Sequence, residues 1–280
     1  MKKILITGAN SYIGTSFEKY IKDNYPDDYI VDTVDMIDGT WREKSFVGYD
    51  SVFHVAGIAH QKETKKNAYL YYEVNRDLAI EVAIKSKSDG VGQFIFLSSM
   101  SVYGMDTGVI TKETKPNPKS HYGKSKWEAE QKISELNDDK FKVCVLRPPM
   151  VYGKGCKGNF QTVVKIVKKS PIFPKVKNQR SMIYIDNLSS FVEMCVSNTL
   201  SGTFIPQNKA FISTETMARV ISDTLRKKIY FSGLVGLGVC FLRLFHPTAK
   251  KAFGSLIYLK DDVECDYCIV SNNKSLRESV

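Results

Sequence analysis

The junction between the first apolar run and the first helical pattern constrains the fold most. The run Lys3–Thr7 has the composition of a β-strand. It is followed by a glycine turn at Gly8, and apolar residues then recur at helical spacing up to Pro26. A strand that passes through a glycine turn into a helix is typical of a β-α-β unit. The sequence therefore predicts that the chain opens with such a unit.

The same alternation continues through the first half of the chain. Further strands are predicted at 30–35, 51–56, 93–98 and 141–146, and helices around 74–82 and over 125–136. These strands are apolar along their length, which is typical of a parallel sheet covered by helices on both faces. We therefore predict the fold class α/β, with a doubly wound parallel sheet.

The second half is less regular and predicts a smaller lobe. A strand is predicted at 182–185, and helices at 161–169, 186–197 and 214–227. The longest uncharged run, 229–242, has 14 residues, whereas a membrane span needs about 20. We interpret this run as a buried helix or a segment that covers the lobe, with an interfacial membrane helix as the alternative. No integral membrane segment is expected.

Composition narrows the class of ligand. The 280 residues include 40 Lys and Arg against 30 Asp and Glu, a net charge of +10, which suits a polyanion such as nucleic acid or a nucleotide diphosphate. The basic residues are dispersed and no nucleic-acid recognition motif is present, so we expect no nucleic-acid partner. The N-terminus lacks the apolar core of a signal peptide, and we expect a cytoplasmic protein.

Cysteine and histidine spacing indicates no metal site. The six cysteines and four histidines form no zinc pattern. The pair Cys265 and Cys268 is a single C-x-x-C without a second ligand pair nearby, so we interpret it as coincidence.

The glycine turn is a candidate pyrophosphate site. In Thr7-Gly-Ala-Asn-Ser-Tyr-Ile-Gly14 the first glycine permits a tight turn, the helix N-terminus offers free N–H groups, and Gly14 lets the helix pack close to the strand. Asp35, 21 residues after Gly14, is the candidate for the adenosine ribose hydroxyls, with Asp32 as the competitor. A carboxylate there repels a 2′-phosphate and favours NAD over NADP.

A second motif predicts acid–base chemistry. Tyr122 and Lys126 are four residues apart, so on a helix they share one face. A neighbouring cation favours the phenolate, which would make Tyr122 a general acid/base held as phenolate by Lys126. Ser99, 23 residues before Tyr122, follows a predicted strand and would point its hydroxyl into the same crevice.

Six segments in this order resemble the extended short-chain dehydrogenase/reductase superfamily, and within it the NAD-dependent nucleotide-sugar epimerase/dehydratase family, of the UDP-glucose 4-epimerase type. They are TGANSYIG, HVAGIAH, FLSSMSVYG, HYGKSK, LRPPMVYG and QRSMIYIDNL, within residues 1–205. The resemblance implies a Rossmann-type sheet with a smaller C-terminal substrate lobe. It implies an NAD(P)-binding domain over 1–150, with 181–205 packing on it, and a substrate lobe over 151–180 and 206–280.

The resemblance also implies a set of site residues. The catalytic triad falls on Ser99, Tyr122 and Lys126. Cofactor-binding positions are Gly8, Asn10, Ser11, Tyr12, Ile13, Gly14, Asp35, Met36, Ala56, Gly57, Ile58, Tyr122, Lys126 and Pro149, with Pro148 beside it. Substrate-binding positions are Ser99, Met100, Ser101, Asn159 and Arg180. The implied cofactor is NAD, with NADP possible, the implied substrate is a nucleotide-sugar, and a homodimer is expected.

Three departures from the family pattern matter. The segment between Asp35 and Ser51 is short, so Asp35 and Met36 would themselves fill the adenine-contacting role that the family gives to a later Asp. Ser11 stands where the middle glycine of the turn is usual, and its side chain crowds the pyrophosphate approach while its hydroxyl could donate to a phosphate. Met100 and Ser101 stand where 4,6-dehydratases carry Asp-Glu, which argues against dehydration. The sequence favours a 4-epimerase acting through a 4-keto intermediate. A 4-keto reductase using NAD(P)H is the alternative, and an inactive NAD(P)-binding relative is the remote one.

Overall fold

The computed structural model describes residues 1–59, 61–259, 269–270 and 276–279. Its strands are β1 (Lys2–Thr7), β2 (Tyr29–Val34), β3 (Ser51–His54), β4 (Gln93–Leu97), β5 (Gly108–Ile110), β6 (Lys142–Leu146), β7 (Met150–Tyr152), β8 (Ile172–Pro174), β9 (Met182–Tyr184), β10 (Gly202–Phe204), β11 (Gln207–Asn208), β12 (Tyr230–Ser232), β13 (Leu256–Tyr258) and β14 (Ile269–Val270).

The helices alternate with these strands. They are α1 (Tyr12–Asn24), α2 (Ala68–Tyr72), α3 (Leu78–Ser88), α4 (His121–Ser134), α5 (Asn159–Lys169), α6 (Ile185–Ser197), α7 (Thr214–Thr224), α8 (Gly233–Phe245) and α9 (Pro247–Phe253). A π-helical turn, Glu73–Asp77, joins α2 to α3. Short 3-10 turns cover Thr40–Arg42, Met100–Tyr103 and Leu276–Ser279.

The chain divides into two compact units. The first comprises Met1–Gly104, Pro116–Pro148 and Ile185–Pro206, and the second comprises Met105–Lys115, Pro149–Tyr184 and Gln207–Val280. The sequence-based boundaries did not separate 105–115 from the first domain. The assignment of cofactor to one unit and substrate to the other stays a prediction.

A six-stranded parallel sheet forms the centre of the first unit. Its strand order is β10-β6-β4-β3-β1-β2, which confirms the predicted α/β fold with a parallel sheet. Thr7 lies opposite His54, and His54 lies opposite Phe96, so β1, β3 and β4 end at the same edge. The loops that follow these three strands therefore leave the sheet side by side, and together with the first turn of α1 they carry twelve of the nineteen predicted site residues.

Aromatic side chains fill the space between the sheet and its helices. Phe17 of α1 meets Phe53 of β3 edge-on at 5.3 Å, and Phe94 of β4 lies 6.3 Å from Phe141. The buried His54 ring stacks near Phe94 and its Nδ1 lies 2.8 Å from the Thr7 hydroxyl. Burial lowers the pKa of His54 to about 3, so its ring is neutral at physiological pH.

The second unit is built from short strand pairs. In its described residues β7 pairs with β9, β8 with β12, β5 with β13 and β11 with β14, all in parallel. The Arg180 backbone bridges Ile212 on one side and Leu256 on the other. These small pairs replace the regular alternation of the first half, which is why the sequence pattern is weaker there.

The prediction of a buried helix at 229–242 is wrong. The segment does form a helix, α8, but its large apolar side chains are exposed, among them Leu234 at 83% and Phe241 at 67%. The buried helix was expected because burial is usual for such an apolar run, and its exposure leaves the lobe-covering segment and the interfacial membrane helix as the interpretations of 229–242. In the part of the chain that the structure describes, no helix is both long and apolar enough to cross a membrane.

Candidate active site

The glycine turn after β1 lies against the loop after β3. Gly8 has a left-handed backbone (φ 117°), and a Cβ placed on it would lie 2.8 Å from the backbone nitrogen of Ala56. Asn10 also adopts a positive φ of 64°, a conformation that asparagine tolerates better than most residues. The turn therefore holds its backbone close to Ala56 and brings two of the predicted cofactor segments together.

The N-terminus of α1 is capped by the residue that departs from the family pattern. The Ser11 hydroxyl accepts a hydrogen bond from the Gly14 backbone nitrogen at 3.1 Å. A Cβ on Gly14 would lie 2.6 Å from that hydroxyl oxygen and 3.1 Å from Val55 Cγ2, so Gly14 is needed for the helix to approach the sheet. Tyr12 and Ile13 form the first turn of α1 and are half-buried.

Serine in place of glycine therefore serves as a helix cap. Its oxygen accepts from the helix while its O–H remains a donor that can point away from the helix. The first turn of α1 contains no acidic residue, so the positive end of the helix dipole faces the turn without a competing carboxylate.

The two candidate ribose-binding aspartates have different surroundings. Asp35 follows β2 directly, and its carboxylate accepts from the Ile37 nitrogen at 2.8 Å. Asp32 lies within β2 and accepts from the Tyr49 hydroxyl at 2.7 Å; burial first, and this bond second, raise the pKa of Tyr49 to about 12. The Gly8 nitrogen donates to the Val34 carbonyl oxygen at 2.9 Å, so the backbone before Asp35 touches the glycine turn.

Asp35 is therefore the better placed of the two carboxylates for a ligand at the turn. Met36, the next predicted position, is 9% exposed and packs in the core cluster that contains Trp41. Its side chain thus supports the strand end.

The loop after β3 is fixed by a buried asparagine. Asn75, in the π-helical turn, accepts from the Ile58 nitrogen at 2.7 Å and donates to the Ile58 carbonyl oxygen at 3.0 Å. A Cβ on Gly57 would lie 2.9 Å from Asn75 Oδ1 and 3.3 Å from Lys126 Nζ. Ala56, Gly57 and Ile58 therefore form one rigid loop directly against the Lys126 ammonium.

These contacts fit a dinucleotide in the manner the motifs predict. Gly8, Gly14 and Gly57 let the turn, α1 and the loop after β3 pack at close distance on their neighbours, and the helix N-terminus and the ammonium of Lys126 supply positive charge beside them. A carboxylate suited to ribose hydroxyls stands at the neighbouring strand end. The residues present thus suit a cofactor with a pyrophosphate and an adenosine ribose.

The two serines after β4 have different roles. Ser98 is buried and its hydroxyl donates to the Glu130 carboxylate. Ser99 is half-buried; its hydroxyl donates to the Ser101 hydroxyl at 3.2 Å and lies near enough to the Tyr122 phenol to lower the pKa of that group. The Ser99 hydroxyl also accepts from the Ser101 nitrogen at 3.1 Å and so caps the Met100–Tyr103 turn. Ser99 is the serine that faces the predicted base.

The helix that carries Tyr122 begins earlier than predicted and has two caps. The Ser120 hydroxyl accepts from the Gly123 nitrogen at 3.0 Å. The Glu63 carboxylate accepts from the His121 nitrogen at 2.9 Å and from the Tyr122 nitrogen at 3.1 Å. The first three N–H groups of α4 are thus satisfied by side chains, and Tyr122 is fixed in the first turn.

Protonation of Tyr122 differs from the phenolate hypothesis. Burial raises the pKa of the Tyr122 phenol, and the neighbouring Ser99 hydroxyl lowers it only in part. The protein groups alone therefore favour the protonated phenol, the form that donates a proton. Burial lowers the pKa of Lys126 to about 8, partly offset by Glu130, and its ammonium donates to the Leu97 carbonyl oxygen at 2.9 Å.

A buried ion pair between Arg147 and Glu130 joins α4, the helix that carries Tyr122, to the central sheet. Arg147 donates to both carboxylate oxygens of Glu130, at 2.6 Å from Nη2, and to the Tyr103 hydroxyl at 2.9 Å. Glu130 is 2% exposed, and it also accepts from Ser98. The pair fixes α4 to the ends of β4 and β6, which hold Ser99 on one side of Tyr122.

Three predicted positions fall in the second unit. Pro149, buried, begins its second segment, and Asn159, exposed, is the first residue of α5. The Arg180 guanidinium donates to the carbonyl oxygens of Lys251 at 2.6 Å and Gly254 at 2.8 Å, and burial lowers its pKa. Their roles toward substrate or cofactor stay predictions.

Metal ligands do not gather in the described residues. No group of three His, Cys, Asp or Glu side chains there could hold a metal ion, and Cys144, Cys156, Cys195 and Cys240 are free thiols. Cys265 and Cys268, interpreted above as coincidence, lie outside the described residues.

A family model for the NAD dependent epimerase/dehydratase family matches residues 4–202, which is well over half of the chain. The chain belongs to this family. The sequence-based recognition, and with it the expectation of an NAD-dependent enzyme of this class, is confirmed.

Curated members of this epimerase/dehydratase family are similar over most of the chain. A UDP-glucose 4-epimerase of Vibrio cholerae is 30% identical over 253 residues, covering 81% of this chain and 76% of its own. An N-acetyl-α-D-glucosaminyl-diphospho-ditrans,octacis-undecaprenol 4-epimerase of Escherichia coli O157:H7 is 26% identical over 283 residues, covering 92% of this chain and 84% of its own.

A solved structure shares the fold. The UDP-glucuronic acid 4-epimerase of Bacillus cereus, in complex with NAD, superposes with a TM-score of 0.73 at 18% identity. The match covers 99% of this chain and 93% of that one, which confirms the Rossmann-type fold predicted for this family member.

Sequence reasoning missed three residues that shape the site of this epimerase/dehydratase. Asn75 holds the loop 56–58, Glu63 caps α4, and Glu130 fixes Ser98. Asn75 lies within an apolar helical pattern, where a polar residue is a signal for a buried hydrogen bond. Glu63 gave no signal, because its partners are 58 and 59 residues away.

Proposed function

We propose that the protein is an NAD-dependent nucleotide-sugar 4-epimerase that acts on a UDP-hexose or UDP-N-acetylhexosamine through a 4-keto intermediate. The arrangement that carries the proposal is the Ser99 hydroxyl beside the Tyr122 phenol, whose pKa it lowers, with Lys126 one helical turn further along α4. The family match and the Vibrio cholerae relative support the same reaction class.

The proposed roles follow from the geometry. Gly8, Ser11 and Gly14 would hold the pyrophosphate of NAD, Asp35 the adenosine ribose, and Lys126 the neighbouring ribose beside Gly57. When bound, oxidised NAD supplies the acceptor for the hydride of C4, returns that hydride, and brings a positive charge to the site. The contacts of the glycine turn and of Gly57 support this assignment.

Tyr122 would carry the proton. It accepts the proton of the O4 hydroxyl as C4 becomes a ketone, and it returns the proton when C4 is reduced on the opposite face. The Ser99 hydroxyl donates to the Ser101 hydroxyl at 3.2 Å in this structure, and beside the phenol it lowers the pKa of Tyr122 and so would stabilise the deprotonated form. Because burial alone favours the neutral phenol, the positive charges of Lys126 and the oxidised cofactor are needed to populate the base.

The reaction is tested by product analysis. Purified protein is incubated with UDP-glucose, UDP-galactose, UDP-N-acetylglucosamine or UDP-N-acetylgalactosamine, and products are separated by chromatography. We expect interconversion of one 4-epimer pair without net consumption of added cofactor. Tyr122→Phe should lower kcat at least about a hundredfold and leave NAD binding nearly unchanged. Full activity of that variant would contradict the mechanism.

Cofactor extraction distinguishes the epimerase from the two alternative functions, a 4-keto reductase and an inactive NAD(P)-binding relative. Denaturation of protein purified without added cofactor should release near-stoichiometric NAD, since an epimerase regenerates its cofactor in each cycle. An empty protein that binds NADPH and reduces a 4-keto nucleotide-sugar would instead be the ketoreductase. Retained NAD without turnover of any sugar would indicate the inactive relative.

A second candidate substrate carries its sugar on a lipid. The Escherichia coli relative, named for an undecaprenol-linked sugar, aligns with 92% of this chain. Helix α8 exposes an apolar surface of the kind that a substrate in a membrane would require its enzyme to have. Parallel assays with N-acetylglucosaminyl-diphospho-undecaprenol in detergent and with UDP-N-acetylglucosamine decide between the carriers by their kcat/KM values.

The homodimer, which rests on the resemblance, and the cytoplasmic location are also proposals. Sedimentation velocity of the purified chain tests the first, and fractionation of the producing cells tests the second.

A further inference from the structure

Helix α8 exposes apolar side chains over half of its circumference. Five of the large ones are more than 65% exposed: Leu234, Leu237, Phe241, Leu244 and Phe245. At about 100° per residue, these five and the exposed Val235 and Leu242 span roughly 180° of the helix surface. Scattered single apolar residues are normal on a protein surface, but a contiguous face of this width marks an interaction site.

The opposite side of α8 attaches the helix to the second unit. A Cβ on Gly236 would lie 2.2 Å from the Lys175 carbonyl oxygen, so the helix approaches the end of β8 at backbone distance. Val239 and Arg243 lie on the same side and are only partly exposed. The Ser232 hydroxyl accepts from the Val235 nitrogen at 3.3 Å and caps the helix. The attachment is narrow, and it leaves the apolar face pointing outward.

The chain segments next to α8 are basic, apart from Asp106, whose carboxylate lies 3.8 Å from the Lys251 ammonium. Residues 149–184 contain eight Lys and Arg residues and no Asp or Glu. Residues 224–259 contain six Lys and Arg residues and likewise no Asp or Glu. Lys175 lies next to Gly236, and Lys228, Lys250 and Lys251 lie on the segments that precede and follow α8; all four are exposed. A cationic surface beside an apolar face is complementary to anionic headgroups above an acyl layer.

The length of α8 determines how it could meet a bilayer. Its 13 residues extend about 20 Å, shorter than the hydrocarbon core of about 30 Å. A helix of this length can lie in the interface with its apolar face among the acyl chains, and its polar attachment then stays on the protein side.

We propose that α8 docks the protein on an anionic phospholipid bilayer, with its Leu234–Phe245 face in the interface and the neighbouring lysines on the headgroups. The proposal does not depend on the proposed function. A second copy of the chain is the competing occupant, and the charge argues against it. A symmetric pairing through α8 would bring two clusters of lysines together, whereas anionic headgroups neutralise them.

Vesicle flotation with the full-length protein tests this. Vesicles of phosphatidylethanolamine and phosphatidylglycerol should carry the protein to the top of a density gradient, and vesicles of phosphatidylcholine alone should carry much less. Leu237→Glu combined with Phe241→Glu should reduce flotation about tenfold, because carboxylates do not enter the acyl layer. Lys228→Gln combined with Lys250→Gln should weaken flotation and reduce its dependence on salt.

The control is a matched apolar position on another helix. Ile84 on α3 is 52% exposed, and Ile84→Glu should float like the unchanged protein. Circular dichroism and cofactor retention check that each variant is folded. Equal flotation of the α8 variant and the Ile84 variant would overturn the proposal. So would a protein that ignores anionic vesicles and forms a dimer that Leu237→Glu dissociates.

Discussion

The Ser101 carbonyl oxygen occupies the position that a side chain at Gly123 would need. A Cβ on Gly123 would lie 2.6 Å from that oxygen and 3.1 Å from Pro118 Cβ. The glycine directly follows Tyr122 in α4, and Ser101 belongs to the turn that Ser99 caps. The close approach of these two backbones therefore sets the distance between the serine hydroxyl and the phenol.

Gly123→Ala should lower both stability and activity, although alanine is the better helix former. In an open helix the change stabilises by about 1 kcal/mol, but here the methyl group must push α4 away from the Ser101 turn. We expect the free energy of unfolding to fall by about 1–3 kcal/mol and kcat to fall with it. Urea unfolding and steady-state kinetics measure both.

Gly238 provides the control for this prediction. It also lies inside a helix, and a Cβ there would meet no atom within 4 Å. Gly238→Ala should raise the free energy of unfolding by about 1 kcal/mol. Similar effects of the two alanines would show that Gly123 has no special contact.

Lys126→Met should change how stability depends on pH. Burial lowers the pKa of Lys126 to about 8 from 10.5, so between these values the unfolded chain holds a proton that the folded chain has lost. The buried ammonium therefore lowers the free energy of unfolding most below about pH 8. This destabilisation decreases as the pH rises from about 8 to about 10.5. The advantage of the methionine variant over the unchanged protein should shrink by about 3 kcal/mol across this range.

Urea unfolding of both proteins at a series of pH values measures the difference between their free energies of unfolding. The titration of all other groups cancels to first order in this difference. Lys124 is exposed on the same helix, and Lys124→Met should show a flat difference. A flat difference for Lys126→Met as well would mean that the ammonium is not desolvated. Activity should be lost in the Lys126 variant at every pH.

The parts of the site that could be predicted are those encoded by short sequence motifs. The turn from Gly8 to Gly14 and the pair Tyr122 and Lys126 are short patterns on a strand end and a helix, and the structure places both motifs on those elements. The strands of the central sheet could also be predicted from the sequence, because β3, β4 and β6 are buried almost throughout and carry apolar runs.

The rest depended on contacts that sequence spacing does not encode. Ser98 and Ser99 are adjacent and identical in type, and only their partners Glu130 and Tyr122 distinguish them. The uncharged sequence of α8 could not reveal which of its faces was covered. For Tyr122, spacing indicated the neighbouring Lys126 but could not indicate the burial that raises the pKa of the phenol.

Glu63 should act as a positioning residue for Tyr122. Its carboxylate accepts from the first two N–H groups of α4, where a negative charge also interacts favourably with the helix dipole. Glu63→Ala should lower the free energy of unfolding by about 1 kcal/mol and lower kcat while NAD occupancy is retained. Glu63→Gln keeps an acceptor oxygen and should recover part of the activity.

The exposed Glu43 is the control for a lost carboxylate, and Glu43→Ala should change neither quantity. If Glu63→Ala lowered stability while kcat stayed normal, Glu63 would cap the helix without positioning the phenol.

Ser98→Ala and Ser99→Ala should separate stability from catalysis. Ser98 donates to the buried Glu130 carboxylate, and hydrogen bonds to charged groups contribute about 1.5–3 kcal/mol, so its loss should appear mainly in urea unfolding. The Ser99 hydroxyl lies beside the phenol and lowers the pKa of Tyr122, so its loss should lower kcat about a hundredfold with a smaller effect on stability. The two alanines differ by one position and remove the same atoms, so each serves as the control for the other. A larger loss of kcat in Ser98→Ala than in Ser99→Ala would reassign the catalytic hydroxyl.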